Sequence, residues 1–182
     1  SDPEIRRVLA DGVAGLRERG AWMREISGLL SAEADPAIRE TLLGAVARTS
    51  RDAAAHQELL AIAANPAAPA TERKIALEAL TRARPDADAI AAVQPLLDDR
   101  DPAVRAQALR ILAGDRAMPI GTLQEGLSDE DPGVRAIALS QALGHLGRFQ
   151  KDKEIPKRDL ADATSRVVTL ATADPDVGVR RA

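Results

Sequence analysis

The sequence predicts an all-α fold, an α-solenoid of about five to six helical hairpins, on three observations. The first is composition: aromatic residues make up 1% of the chain, Trp22 and Phe149 being the whole set. Ala, Leu and Arg dominate and β-branched runs are few, which is the composition of helices rather than sheets. The second is a near-copy: DPAVRAQALRIL at 101–112 returns as DPGVRAIALSQA at 131–142. A segment that recurs at a fixed period marks a unit that cannot bury its apolar side alone and stacks on its neighbours. The third is phase. Aligned on the arginine of that motif, Arg6, Arg39, Arg73, Arg105, Arg135 and Arg180 follow one another at intervals of 33, 34, 32, 30 and 45 residues, the length of a helical hairpin.

Each element follows from that ruler. The residue before each arginine is Ile5, Ile38, Glu72, Val104, Val134 or Val179; three after it come Leu9, Leu42, Ala76, Ala108 and Ala138; seven after it come Val13, Val46, Leu80, Leu112 and Ala142. These offsets share one face of a 3.6-residue helix, the buried one. Glu72 alone breaks the first column, and its repeat also lacks an Asp before Pro69. The arginine helices are predicted at about 3–17, 36–49, 70–83, 102–113, 132–146 and from 175 onward. Partner helices at about 20–32, 52–64, 86–98, 118–128 and 157–172 carry Met23, Ile26, Leu29 and Leu30; Leu59, Leu60 and Ile62; Ile90, Val93, Leu96 and Leu97; Ile120, Leu123 and Leu127; and Leu160, Val167, Val168 and Leu170. Trp22, beside Met23 at a helix start, is expected to pack.

The Asp-Pro pairs at Asp2-Pro3, Asp35-Pro36, Asp101-Pro102 and Asp131-Pro132 read as helix starts. Proline has no N–H to lose in a first turn, and the aspartate before it accepts the orphan N–H groups. The carboxylate clusters Asp98-Asp99 and Asp129-Glu130-Asp131 sit in such turns, so capping explains them without an acid/base role. His56 and His145, the only histidines, are far apart in sequence and read as boundary side chains rather than a metal pair. No phosphate loop, dinucleotide fingerprint, nucleophile elbow or H-E-x-x-H motif is present. No cofactor or metal is expected. Cysteine is absent, which removes disulfides and thiolate chemistry from this stretch. A formal net charge of −3 and a pI near 5.5 give no general positive field for nucleic acid. No apolar run has the roughly 18 residues of a membrane span. Compartment and oligomeric state stay open.

An acidic residue six positions ahead of the arginine, followed by P-x-V-R-x-x-A-L, resembles the HEAT repeat: Glu33 before Arg39, Asp99 before Arg105, Asp129 before Arg135 and Asp174 before Arg180. The resemblance covers nearly the whole chain and implies a right-handed, armadillo-like solenoid whose arginine helices line the concave side. It also implies that acid and arginine form a hydrogen-bonded ladder between neighbouring repeats, so those eight residues are structural. Ala67 stands where the acid before Arg73 belongs, and no rung is expected there. In this phase the chain opens on the second helix of a hairpin and closes a turn or two into another, so residues 1–182 are expected to be one solenoid segment of a longer chain.

Stacked hairpins of this kind serve as interaction platforms, and a non-enzymatic protein-binding scaffold is the expected function. An accessory domain of a larger lyase- or dehydrogenase-like enzyme is the alternative, and a nucleic-acid binder a weaker one. Offsets +1 and +5 from the arginine point away from the core and hold Arg7, Asp11, Glu40, Lys74, Glu78 and Arg110, a mixed-charge strip on which a protein partner is expected to dock. The long last interval places an insertion loop at about 147–156, within a segment, 146–160, that holds three of the four lysines. Phe149, Lys151 and Lys153 are expected to protrude there and meet an acidic partner surface.

Overall fold

The computed structural model describes residues 3–15, 22–83, 85–115 and 118–182. Among them every regular element is a helix: α1 Pro3–Gly15, α2 Met23–Ala32, α3 Pro36–Ala47, α4 Ala53–Ala64, α5 Ala70–Ala83, α6 Ala87–Val93, α7 Pro102–Ala113, α8 Ile120–Leu127, α9 Pro132–Phe149, α10 Lys157–Ala173 and α11 Val177–Arg181. The chain divides into two compact units, Ser1–Ala92 and Val93–Ala182.

The helix starts are built as their chemistry requires. Asp35 accepts from the Ala37 and Ile38 N–H groups at 2.9 and 3.2 Å, Asp101 from Ala103 at 2.8 Å, and Asp131 from Gly133 and Val134 at 2.8 and 3.2 Å. Asp52 and Asp176 cap α4 and α11 in the same way. Each such cap stabilises its helix by about 1 kcal/mol. The cap assigned to Asp2 lies outside the described residues. The partner helix predicted at 86–98 is interrupted instead: α6 stops at Val93 and a 3-10 turn, Gln94–Asp98, takes over. Pro95 is the cause, because it lacks an N–H and its ring collides with the preceding turn.

In the first unit α1, α3 and α5 lie side by side, with α2 and α4 packed on them. Arg6 in the first turn of α1 bonds Glu33 just ahead of α3, and the Arg48 guanidinium near the end of α3 donates to Ala14 O near the end of α1 at 3.3 Å. Both ends match, so α1 and α3 run parallel. The second unit repeats the plan: α7, α9 and α11 form one layer, with α8 and α10 against α9. Arg105 near the start of α7 bonds the turn before α9, and Ala113 O at the end of α7 meets His145 near the end of α9.

The core is aliphatic and fine-grained. Leu43, Ala45, Val46, Leu59, Ala76, Leu77 and Leu80 are fully buried in the first unit; Ala108, Leu109, Leu123, Leu127, Ala138 and Ala142 in the second. Alanine on facing helices lets their axes come close. Gly126 carries this furthest, since a Cβ there would stand 2.7 Å from Leu109 Cδ2 and 3.1 Å from Ala138 Cβ, so α8 can settle onto α7 and α9 only with no side chain at this point.

Candidate interaction surface

Four arginines at the helix starts make one repeated joint. Arg105 grips Asp129 with its fork, Nε to Oδ2 at 2.9 Å and Nη2 to Oδ1 at 2.8 Å, while Nη1 donates to Asp99 O at 2.8 Å. Arg135 holds Asp174 with 2.9 and 3.0 Å bonds and donates to Asp129 O and Glu130 O. Arg6 holds Glu33 at 2.8 Å. Each arginine thus pairs with the acid of the following repeat. To the acid six positions before it, it offers Nη1 and takes only the backbone carbonyl, as Arg39 does at Glu33 O and Arg180 at Asp174 O. The carboxylates do a second job: Glu33, Asp99, Asp129 and Asp174 each accept the N–H two residues on, which shapes the turn into the next helix.

The Arg39 rung corrects the expectation that Ala67 leaves a gap. Glu72 takes the missing place, receiving Arg39 Nε and Nη2 at 2.8 Å each. Its position in the apolar column is explained by the same bond: the side chain points inward from the first turn of α5, is 5% exposed, and reaches the neighbouring helix instead of the core. Two departures from the repeat are one substitution. Residue type was the available signal, a carboxylate one residue from the arginine in the repeat where Ala67 replaces the acid six residues away.

The electrostatics follow the bonds. The Asp35 N–H is the largest influence on Glu33 and lowers its pKa; partial burial opposes it, and Arg6 adds to it. The Arg135 fork is the main cause that holds Asp174 below the ordinary aspartate range. For Asp129 burial is the largest influence and pushes upward, but Arg105, the Asp131 N–H and the charge of Arg135 together outweigh it, so the net direction is down. Arg39, Arg105 and Arg135 are held more firmly protonated by Glu72, Asp129 and Asp174 respectively.

The mixed-charge strip lies on the exposed side of the arginine helices. Arg7 and Asp11 on α1, Glu40 on α3 and Lys74 on α5 are exposed, Glu78 is half-buried, and Lys74 stands 3.9 Å from Glu78. In the second unit the matching positions are mostly small, Ala106, Ala136 and Ser140, with charges at Arg110 and Arg181. The edge near the helix ends departs further from expectation. The segment assigned to a loop from 147 is helical to Phe149, and only residues 150–156 connect α9 to α10. Phe149 does not protrude: it is 2% exposed, lies under the Arg148 guanidinium at 4.4 Å from the ring centre, and stacks obliquely near His145. Arg148 Nη2 donates to Met118 O at 2.8 Å, and His145 Nε2 meets Ala113 O at 2.7 Å. These bonds hold the additional turn down. Lys151 and Lys153 are exposed in the connection.

Trp22 is 52% exposed, against the expectation that it packs; it precedes the helix with a non-helical backbone, which takes its side chain off the face of Met23, Ile26 and Leu30. His56 is half-buried, with Nε2 3.6 Å from Asp86. No described helix is long and apolar enough to cross a membrane. Compared with protein-family models, with curated proteins and with solved structures, the chain finds no match.

Proposed function

We propose that this chain is a non-enzymatic protein-binding scaffold, a right-handed α-solenoid of HEAT type whose rungs fix the helices while the strip meets a partner. The observation that carries the reading is the division of labour along α1, α3 and α5. At the starts of these helices Arg6, Arg39, Glu33 and Glu72 are consumed by structure. One residue further round, Arg7, Glu40 and Lys74 face outward from helices that are already anchored. A rigid support with exposed charged side chains at repeated spacing is what a selective docking face requires, since preorganised groups lose little freedom on binding.

The test is an affinity capture with the chain as bait, beside the charge-reversed variant Glu40→Lys/Lys74→Glu. A partner held by the parent and lost by the variant, with both melting alike, supports the strip. Equal capture by both removes it.

A further inference from the structure

On the edge opposite the rungs, the first unit carries a feature that the repeat does not require. Nine residues after the motif arginine the chain has Gly15, Gly114 and Gly144 in three repeats, but Arg48 and Arg82 in the two whose helices, α3 and α5, are packed together. Shared register on neighbouring helices brings these arginines to one place. Arg51, in the turn between α3 and α4, joins them: Arg48, Arg51 and Arg82 line one cleft of about 380 Å³ together with Thr49, Ser50 and Asp52.

We propose that this cleft binds the phosphate of a phosphorylated serine or threonine on a protein partner. Three guanidinium charges against one carboxylate leave a local excess of two positive charges in a chain whose net charge is −3. A phosphomonoester carries about −1.5 to −2 near neutral pH and matches that excess, which a single carboxylate does not. The one acid is occupied, since Asp52 accepts from Ala54 and Ala55 at 3.0 and 3.2 Å and caps α4. Arg51 and Arg82 are exposed and in no ion pair among the described residues. Arg48 already has one donor on Ala14 O, which steadies it for a second contact. Planar guanidinium forks suit phosphate oxygens, which accept paired N–H groups. The contrast is the same edge of the second unit, where Arg148 is folded over Phe149 and tied to Met118 O. The site is separate from the strip and stands without it.

The experiment uses the full chain at low salt and a fluorescent pentapeptide, Gly-Ala-Ser-Ala-Gly, with and without phosphate on the serine. The phosphorylated form is expected to bind about tenfold or more tighter, and Arg51→Gln/Arg82→Gln to remove about that factor, the scale of one charge-assisted hydrogen bond lost. Arg51→Lys/Arg82→Lys, which keeps charge without the fork, is expected to fall between the two. Thermal melts establish that the variants fold, and Arg51→Gln alone serves if the double variant does not. Equal affinity for the two peptides overturns the proposal, as does a glutamine variant that binds like the parent. Inorganic phosphate binding as tightly as the phosphopeptide overturns the assignment to a protein partner.

Discussion

The two units differ in one rung: Arg6 meets Glu33 in the turn before α3, as the arginines of the second unit meet their turn acids, but Arg39 closes by another route. In the second unit Arg105 and Arg135 meet Asp129 and Asp174, aspartates in the turn before the next arginine helix. In the first, Arg39 meets Glu72, which is already inside the first turn of α5. The bonds are alike in length and both are two-pronged. What differs is where the carboxylate starts: Glu72, one position from the motif arginine, does what Glu33, Asp129 and Asp174 do from six. The repeat is therefore held by a carboxylate at a point in space, and the offset in sequence is one way to put it there.

That contrast has consequences of graded size. The largest belongs to the second unit's other edge, where Phe149 is buried under Arg148. Phe149→Ala is expected to lower unfolding free energy by about 3–5 kcal/mol, the usual cost of emptying a buried aromatic site, read by chemical denaturation. A loss within error would mean that the end of α9 is a free spur. Next come the rungs. Arg105→Ala leaves Asp129 facing an empty place and is expected to lower stability by about 1–3 kcal/mol. Asp129→Asn in the same background should then add little, because the partner is already gone.

The smallest effect is pH dependence. Asp129, Asp174 and Glu33 have pKa values lowered by folding. The unfolded chain binds their protons first, so their contribution is complete above the ordinary values of 3.8 and 4.5 and is lost as pH falls through the lowered native values. Melting temperature should be flat in this respect near neutrality and fall in acid below about pH 4. Asp129→Asn should flatten that fall, and an unchanged acid slope would show that Asp129 does not carry it.

The helices were legible because their signals are local and repeated. Val104, Ala108 and Leu112, or Val134, Ala138 and Ala142, fix the buried face, and Asp101 and Asp131 fix the starts; the same reading fails at Ile5 and Leu9 of α1, at Leu29 and at Val168, which are exposed. The acid and arginine positions were legible too, but not which acid met which arginine, since a six-residue spacing within one turn says nothing about a bond to the next repeat. Glu72 was visible as an irregularity and unreadable as a partner for the same reason. The end of α9 was hidden by Gly144 and Gly147, which weaken a helix locally; His145 and Arg148 overrule them through bonds to carbonyls some 30 residues earlier. The cleft of Arg48 and Arg82 lay at an offset where the other repeats have glycine, and only the side-by-side packing of α3 and α5 gives that spacing a meaning.

The central claim, that Glu72 stands in for the missing acid, is tested most directly by a double-mutant cycle on Arg39 and Glu72. Unfolding free energies of the parent, Arg39→Ala, Glu72→Ala and the double variant are measured by denaturant titration. A coupling energy of about 1–3 kcal/mol is expected, the range for residues that share a bond. Additive losses, with no coupling, would contradict the account and make Glu72 an acid that is buried for some other reason.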